Sequence, residues 1–306
     1  MSNTPNLETR SDNSLNRLTT EEADRLLKTI NAQIASGTFD TNDRHLIQQA
    51  IEGMGDPRGM VRLGFAEALG AIGRPATPLL IEAVDRHPNV VVRRASAKTL
   101  TLIADPAAIP TLIRALLEDD DTVVKGSAVG ALASIGEEAV PVLLEILADP
   151  DNPESTKGHV AWALAFIGAK AKEQLYEAIG SDSAEVRAAV VGAIANFAEE
   201  TPEERAFTVL INALADEATN VRSEAAAALG KFAHREAIPQ LTQLLHHEDG
   251  ETRKAAALAL MKIGDRTALE PLRSARERES QEMIRSAIAL AISQLEKQQE
   301  SDDWTL

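Results

Sequence analysis

Apolar residues recur along this chain with a spacing that predicts helices of one repeated type. From residue 56 onwards, a β-branched residue followed by a cation starts each segment, and apolar residues return eight and eleven positions later. Offsets of 0, 8 and 11 lie on one face of an α-helix, so each segment is predicted to bury that face. The starting residues are Val61, Val92, Val124, Thr156, Val186, Val221, Thr252 and Ile284.

Successive copies of this pattern start 30 to 35 residues apart, and periods of this size are typical of solenoids. A Pro or small residue ahead of an apolar pair predicts a second, shorter helix between copies, as at Pro110–Ile113 and Pro141–Leu144. Neither helix can bury its apolar stripe alone, so neighbouring hairpins must stack. The sequence therefore predicts an all-α fold, a right-handed α-solenoid of about eight short helical hairpins plus an N-terminal helical cap.

The domain boundaries follow from where this pattern starts and stops. Residues 1–17 are polar and rich in Asn and Ser, which predicts a disordered tail. Residues 18–55 lack the repeat but begin with hydroxyl and acidic residues that suit a helix start, so we interpret them as the N-terminal helical cap. The repeat solenoid is predicted to span 56–298, and 299–306 to form an acidic tail.

Charge and composition exclude several classes of function. The formal net charge of −16 repels phosphate backbones and anionic lipid, so no nucleic-acid partner is expected. No apolar run of about 18 residues occurs and the N-terminus is polar, so we expect a cytoplasmic protein without integral membrane contact. The chain has no Cys, which excludes thiol catalysis and a thioether to a chromophore of its own. Its six His are scattered, and no metal site is predicted.

A cation follows the starting residue in every copy, which indicates a structural ladder. Any ion pair that these cations form, being partly exposed, is expected to contribute well under about 1 kcal/mol. Such a ladder sets register more than stability. Its members are Arg62, Arg93, Lys125, Lys157, Arg187, Arg222, Arg253 and Arg285.

The fourth copy differs from the others in its aromatic content. Its helix carries His159, Trp162 and Phe166, although Phe, Trp and Tyr together make up only 3% of the chain. The position six residues after the start holds Trp162 here, and Gly130 and Gly192 in the copies on either side. A large, scarce side chain where neighbours are small is the best functional indication in this sequence.

Glycines inside the helices around Trp162 strengthen that indication. Gly126, Gly130, Gly158 and Gly192 each cost a helix about 1 kcal/mol relative to Ala. One explanation for these glycines is that they form a flat shelf beside the indole. A planar ligand or a partner could then approach closely on the concave face. Packing of the three aromatic rings against an adjacent helix, with glycines making room for the indole, explains them equally.

Two further interpretations of this region stay open. His159 is a weak candidate for a catalytic residue, and the sequence has no self-contained catalytic motif such as a triad, a P-loop or H-E-x-x-H. Two repeats earlier, Arg94 and Lys98 with Arg93 form a candidate cationic spot for carboxylates. A solvated charged face is the alternative for that spot.

The pattern D-x-x-V-R-x-x-A-x-x-A-L-x-x-I-G resembles HEAT-like repeats in the short form of phycobilisome lyase proteins, over residues 56–296. The segments K-G-H-V-A-W-A-L-A-F-I-G, R-R-A-S-A-K-T-L and V-V-K-G-S-A-V-G-A-L resemble E- and F-type phycobilin lyase subunits and phycobilisome degradation proteins of the NblB type. In such repeats the Val-Arg helix is the inner one and lines the concave surface. The resemblance also implies that the cation after each β-branched residue reaches the Asp of its own or a neighbouring turn.

The resemblance implies a cyanobacterial protein that grips phycobiliprotein subunits or their bilins, such as phycocyanobilin, with no required cofactor. E-type subunits carry an Ala-Trp-Trp segment near their N-terminus, whereas the single Ala161-Trp162 here lies mid-chain. We therefore expect chromophore detachment or antenna dismantling first. A lyase subunit that attaches phycobilin to an apo-phycobiliprotein is one alternative, and a non-enzymatic scaffold that binds a protein helix or basic tail is another.

Overall fold

The computed structural model of this protein describes residues 18–303, with side chains from residue 18 to residue 297. Within that part of the chain the regular structure is α-helical, with short 3-10 turns and no β-strand. The chain packs as two compact units, which meet in sequence between Ile135 and Gly136. The predicted tail at residues 1–17 lies outside the described residues.

The first unit contains the N-terminal helical pair and three copies of the repeat. Its helices are α1 (Thr20–Ala35), α2 (Arg44–Gly53), α3 (Gly59–Ile72), α4 (Thr77–Arg86), α5 (Val90–Ile103), α6 (Ile109–Glu118) and α7 (Thr122–Ile135). Helix α1 starts with a capping box, in which Thr19 and Glu22 each accept a backbone N–H of the other. Arg58 then bonds to Asp24 of α1 at 2.9 Å, which ties the N-terminal pair to the first repeat.

The second unit contains the remaining copies. Its helices are α8 (Val140–Ala148), α9 (Glu154–Ile167), α10 (Lys172–Ala178), α11 (Ala184–Glu200), α12 (Glu204–Ala213), α13 (Thr219–Lys231), α14 (Ile238–Leu244), α15 (Gly250–Ile263), α16 (Leu269–Arg278) and α17 (Glu282–Asp303). Helix α17 runs to Asp303, so most of the predicted acidic tail, 299–306, continues the last helix. None of the described helices is both long and apolar enough to cross a membrane.

The apolar frame predicted from the sequence forms the core of both units. The residue eight positions after each start, from Leu69 to Ile292, is buried in all eight copies. Of the starting residues, only Val61 is half-buried and the other seven are buried. Complete burial of such a side chain stabilises the fold by about 1.5–3 kcal/mol. The prediction of an all-α solenoid is thus confirmed, since each unit is a stack of helical hairpins that share one core.

In six of the eight copies the cation after the starting residue is an arginine that binds the turn preceding its helix. The Nη1 group of Arg187 donates to the carbonyl oxygens of Ser181 and Asp182 at 2.9 and 3.2 Å. These carbonyls belong to the turn between α10 and α11, where the guanidinium supplies them with hydrogen-bond donors. The residues that donate to carbonyls five or six positions earlier are Arg62, Arg93, Arg187, Arg222, Arg253 and Arg285.

Three of these arginines also bind a carboxylate of the next turn, as the fork of the guanidinium allows. Arg187 reaches both oxygens of Asp216 at 2.8 Å, and Arg93 and Arg253 bind Asp119 and Glu279 in the same way. The hydrogen bonds from Arg253 hold the pKa of Glu279 below its usual value. The side chains of Arg93 and Arg253 are partly exposed, at 20% and 14%, as expected, whereas the Arg187 side chain is only 9% exposed.

The ladder changes its chemistry in the other copies. Arg222 donates to the hydroxyl of Thr252 at 3.0 Å and lies 3.7 Å from a carboxyl oxygen of Asp249, without the two-bond fork of the other three. The Lys125 ammonium group donates to the carbonyl oxygen of Leu117, near the end of α6. Lys157 is buried and lies within electrostatic reach of Glu185. The ladder is therefore strongest where an arginine fork is followed by an acidic turn one repeat on.

Candidate ligand-binding face

Helix α9 buries one face and leaves its aromatic residues on the other. Val160, Leu164 and Ile167 are buried, which fixes the rotation of the helix. His159, Trp162 and Phe166 are consequently exposed. The helix ends at Gly168, whose φ of 47° is costly for a residue with a side chain, so the aromatic face ends where the chain turns away.

Trp162 and Phe166 form a stacked pair on the surface of the second unit. Their ring centroids are 5.5 Å apart, with an angle of 27° between the ring planes. Trp162 is 53% exposed and Phe166 is 56% exposed. One of the two interpretations left open by the sequence was core packing of these rings, which would require both side chains to be buried. The pair instead presents about half of each ring to whatever approaches this face.

His159 lies one turn before Trp162 and is exposed. No described residue makes a hydrogen bond to its ring, whereas a general base is ordinarily oriented by a partner on its second nitrogen. The exposed face of α9 therefore offers aromatic rings for binding. Among residues 18–297, no group orients the His159 ring for catalysis.

Helix α11 lies beside α9 and forms a low floor next to the aromatic pair. Asn196 donates from its side-chain nitrogen to the Ala165 carbonyl of α9 at 2.8 Å, which holds the two helices together. The positions of α11 that correspond to His159 and Trp162 carry Ala189 and Gly192. Short side chains at these positions leave the sides of the rings uncovered.

The predicted shelf glycines differ in what surrounds them. A β-carbon added at Gly126, Gly130 or Gly158 meets none of the described atoms within 4 Å. Gly126 and Gly130 belong to the first unit, whereas Gly158 and Gly192 share the second unit with the aromatic pair. At Gly192 the added carbon comes within 3.0 Å of a carboxyl oxygen of Glu224.

Glu224 is a site residue that the sequence analysis missed. It lies on α13, three residues after Val221, at the repeat position that His159 occupies in α9. Its carboxyl group has no hydrogen-bond or ion-pair partner among the described residues. Neighbouring protein atoms displace water from it and raise its pKa, although the residue as a whole is exposed. The sequence signal that could have identified it is its position three residues after the start of its copy, which it shares with His159.

The candidate cationic spot lies in the first unit and is largely neutralised. The Arg94 guanidinium binds both carboxyl oxygens of Asp121, and this hydrogen bonding holds the pKa of Asp121 well below its usual value. Arg93 is bound to Asp119. Lys98 is exposed and has no partner among the described residues. A ligand carboxylate at this spot would have to displace Asp121 from Arg94 or bind Lys98 alone.

Comparison with known sequences gives two family matches and a curated relative. The description "HEAT repeats" matches residues 77–156, 140–216 and 207–293, and "PBS lyase HEAT-like repeat" matches residues 61–86. The bilin biosynthesis protein MpeU of Synechococcus sp. (strain WH8020) is 38% identical over 287 residues, which cover 94% of this chain and 97% of that protein.

Comparison with solved structures adds the fold alone. A mutant of Kap121p is 15% identical and matches 89% of this chain and 35% of its own, with a TM-score of 0.56. The complex of CpcE and CpcF of phycocyanin lyase from Nostoc sp. PCC7120 is 24% identical and matches 50% of this chain and 97% of that chain. Its TM-score of 0.43 is too low to support an argument.

Proposed function

This chain belongs to the HEAT-repeat family that includes the bilin biosynthesis protein MpeU, and we propose that it binds a bilin for attachment to a phycobiliprotein. The resemblance to lyase-type HEAT-like repeats is confirmed by the same matches. The relative is named for bilin biosynthesis, and this favours attachment over the detachment or antenna dismantling that the sequence analysis put first. The partner of this reaction is then an apo-phycobiliprotein subunit.

One observation carries the proposal: the half-exposed, stacked pair of Trp162 and Phe166. A bilin is an open-chain tetrapyrrole with flat conjugated rings, and such rings stack favourably on indole and phenyl faces. The exposed parts of the two side chains amount to roughly 200 Å². At about 25 cal/mol per Å², covering them contributes about 5 kcal/mol before the entropy of association is subtracted.

The absence of Cys defines what the chain itself contributes to attachment. A thioether to the bilin requires a thiol, which must come from the receiving protein. The proposed role is therefore to hold the bilin by non-covalent contacts and present it to that thiol. The aromatic pair binds the pigment on one side, and the small residues of α11 leave room for the rest of it.

The binding step is tested by titrating the full chain with phycocyanobilin and following visible absorption. We expect a spectral shift and saturable binding, and at least a tenfold weaker affinity for Trp162→Ala, which corresponds to about 1.4 kcal/mol. Leu102→Ala is the matched control, because Leu102 is 60% exposed at the repeat position that Phe166 occupies in α9. Wild-type affinity in Trp162→Ala, or an equal loss in Leu102→Ala, would overturn the proposed site.

The direction of the reaction needs a second assay. The chain is incubated with bilin and an apo-phycobiliprotein, and covalent pigment is measured after denaturation. Attachment that is faster than without the chain, and lost in Trp162→Ala, supports the proposal. Release of free bilin from a pigmented phycobiliprotein would instead support detachment. Neither activity, together with no spectral shift on titration, would leave the scaffold interpretation.

A further inference from the structure

Glu224 reaches across α11 towards the aromatic face. Its carboxyl oxygen lies 3.0 Å from the β-carbon position of Gly192, and Gly192 occupies in α11 the repeat position that Trp162 occupies in α9. Helices packed side by side have axes about 8–10 Å apart. The carboxyl group and the indole therefore flank the floor of α11 at about one helix spacing, a distance that an extended conjugated ligand spans.

This carboxyl group is free, and its neighbours are not. On α11, Arg187 is committed to Asp216, and on α15, Arg253 is committed to Glu279. No cation among residues 18–297 pairs with Glu224, and loss of water to neighbouring protein atoms raises its pKa. A partly dehydrated carboxyl group without a donor is unfavourable in the free protein, so it gains from any ligand that supplies N–H groups.

Three other carboxylates on the described helices do not combine these features. Glu199 of α11 is bound by Lys231, and Glu251 of α15 is bound by Lys254. Glu67 in the first unit is exposed at the repeat position of Trp162 and has no partner among the described residues. Among the described residues of the first unit, no pair of stacked aromatic rings lies beside it.

We propose that Glu224 accepts hydrogen bonds from N–H groups of the ligand that stacks on Trp162 and Phe166, and so selects a protonatable oligopyrrole with its N–H edge turned towards α13. This assignment rests on the proposed function and adds the recognition of polar atoms to it. The bond is charge-assisted and strengthens when the ligand is protonated. Glu224 is therefore a ligand-binding residue that favours the cationic form of the pigment.

The test compares Glu224→Gln with wild type in the bilin titration, at a series of pH values. Protonated and neutral oligopyrroles absorb at different wavelengths, so the spectrum of the bound pigment reports its protonation. We expect Glu224→Gln to weaken binding at neutral pH about tenfold and to shift deprotonation of the bound pigment to lower pH. Gly192→Ala, which displaces the flexible end of Glu224, should give a smaller shift of the same sign.

Glu67→Gln serves as the control, because it removes an exposed free carboxylate from the first unit. It should leave the affinity and the pigment's titration unchanged. Loss of binding in Trp162→Ala with unchanged affinity and titration in Glu224→Gln would overturn the role of Glu224 and keep the proposed function. Failure of the wild-type chain to bind any bilin would overturn both. An equal shift in Glu67→Gln would show that the effect comes from the overall charge of the protein, and this too would overturn the role of Glu224.

Discussion

Helices α5 and α9 occupy the same place in the repeat, one in each unit, and their exposed faces differ. On α5, the positions six and ten residues after the starting Val carry Lys98 and Leu102. On α9, the corresponding positions carry Trp162 and Phe166, which stack at 5.5 Å. All four side chains are exposed. The repeat therefore determines which positions face outwards, and the residue types placed there determine what that face binds.

The two helices differ in the same way at their starting turns. On α5, Arg93 binds the His87 carbonyl behind it and both oxygens of Asp119 ahead of it. On α9, Lys157 has a single ammonium group and no fork. The start of α9 consequently depends more on apolar burial, at Val160 and Leu164, than the start of α5 does. Five predictions test how far this comparison holds, from the largest expected effect to the smallest.

Leu100→Ala and Leu164→Ala should each lower the free energy of unfolding by about 2–5 kcal/mol. Both leucines are fully buried at the same repeat position, so each change leaves a cavity in an equivalent part of the core. Urea denaturation of the two variants and wild type measures the effect. A cost below about 1 kcal/mol for either variant would contradict a shared core frame.

Arg93→Met should cost about 2 kcal/mol, whereas Lys157→Met should cost less than about 1 kcal/mol. Methionine keeps the apolar stem in both cases, so the comparison isolates the charged group. In the first variant the Asp119 carboxyl, whose side chain is only 9% exposed, loses its guanidinium partner. The measurement is again the free energy of unfolding in urea, and equal costs would show that the fork adds nothing.

Trp162→Ala and Lys98→Ala should both change the free energy of unfolding by less than about 1 kcal/mol, because each side chain is exposed. Only Trp162→Ala should abolish the bilin-induced spectral shift. Thermal unfolding and the titration are measured on the same preparations. A large loss of stability in Trp162→Ala would indicate that the indole has a structural role.

Arg94→Met should change how stability depends on acid. Because Arg94 lowers the pKa of Asp121, the stabilisation from this pair is fully present above the ordinary Asp pKa of about 3.9. It is lost as the pH falls below that value and Asp121 becomes protonated. The Tm difference between wild type and variant should therefore be larger at pH 7 than at pH 2. A constant difference would mean that the ion pair does not contribute.

Glu224→Gln should stabilise the free protein slightly at pH 7, by no more than about 0.5 kcal/mol. Burial raises the pKa of Glu224, so the folded state binds this proton more tightly than the unfolded state. The ionised carboxyl group then lowers stability as the pH rises above the ordinary Glu pKa of about 4.3. Thermal scans at pH 7 and pH 3.5 measure the effect, which should vanish at the lower pH. A loss of stability at pH 7 would indicate a partner for Glu224.

Much of the fold followed from the sequence because the apolar period is local information. The spacing of Val92, Leu100 and their equivalents identifies helices and their buried faces without knowledge of neighbours. The forked arginines were predicted as a ladder, but the burial of Arg187 was not, since it depends on how the next turn covers this side chain. The break between Ile135 and Gly136 gave no local signal either, as the repeat continues across it without a change of pattern.

The candidate site, like the fold, followed partly from the sequence and partly from the tertiary structure. The sequence alone determined that Trp162 and Phe166 share one helix face with glycines around it, because helical periodicity assigns faces one residue at a time. Only the tertiary structure decided that these rings are exposed, that Asp121 already occupies Arg94, and that Glu224 lies over Gly192. Each of these facts depends on residues about 30 positions apart in the chain, whose side chains meet only after neighbouring repeats have stacked.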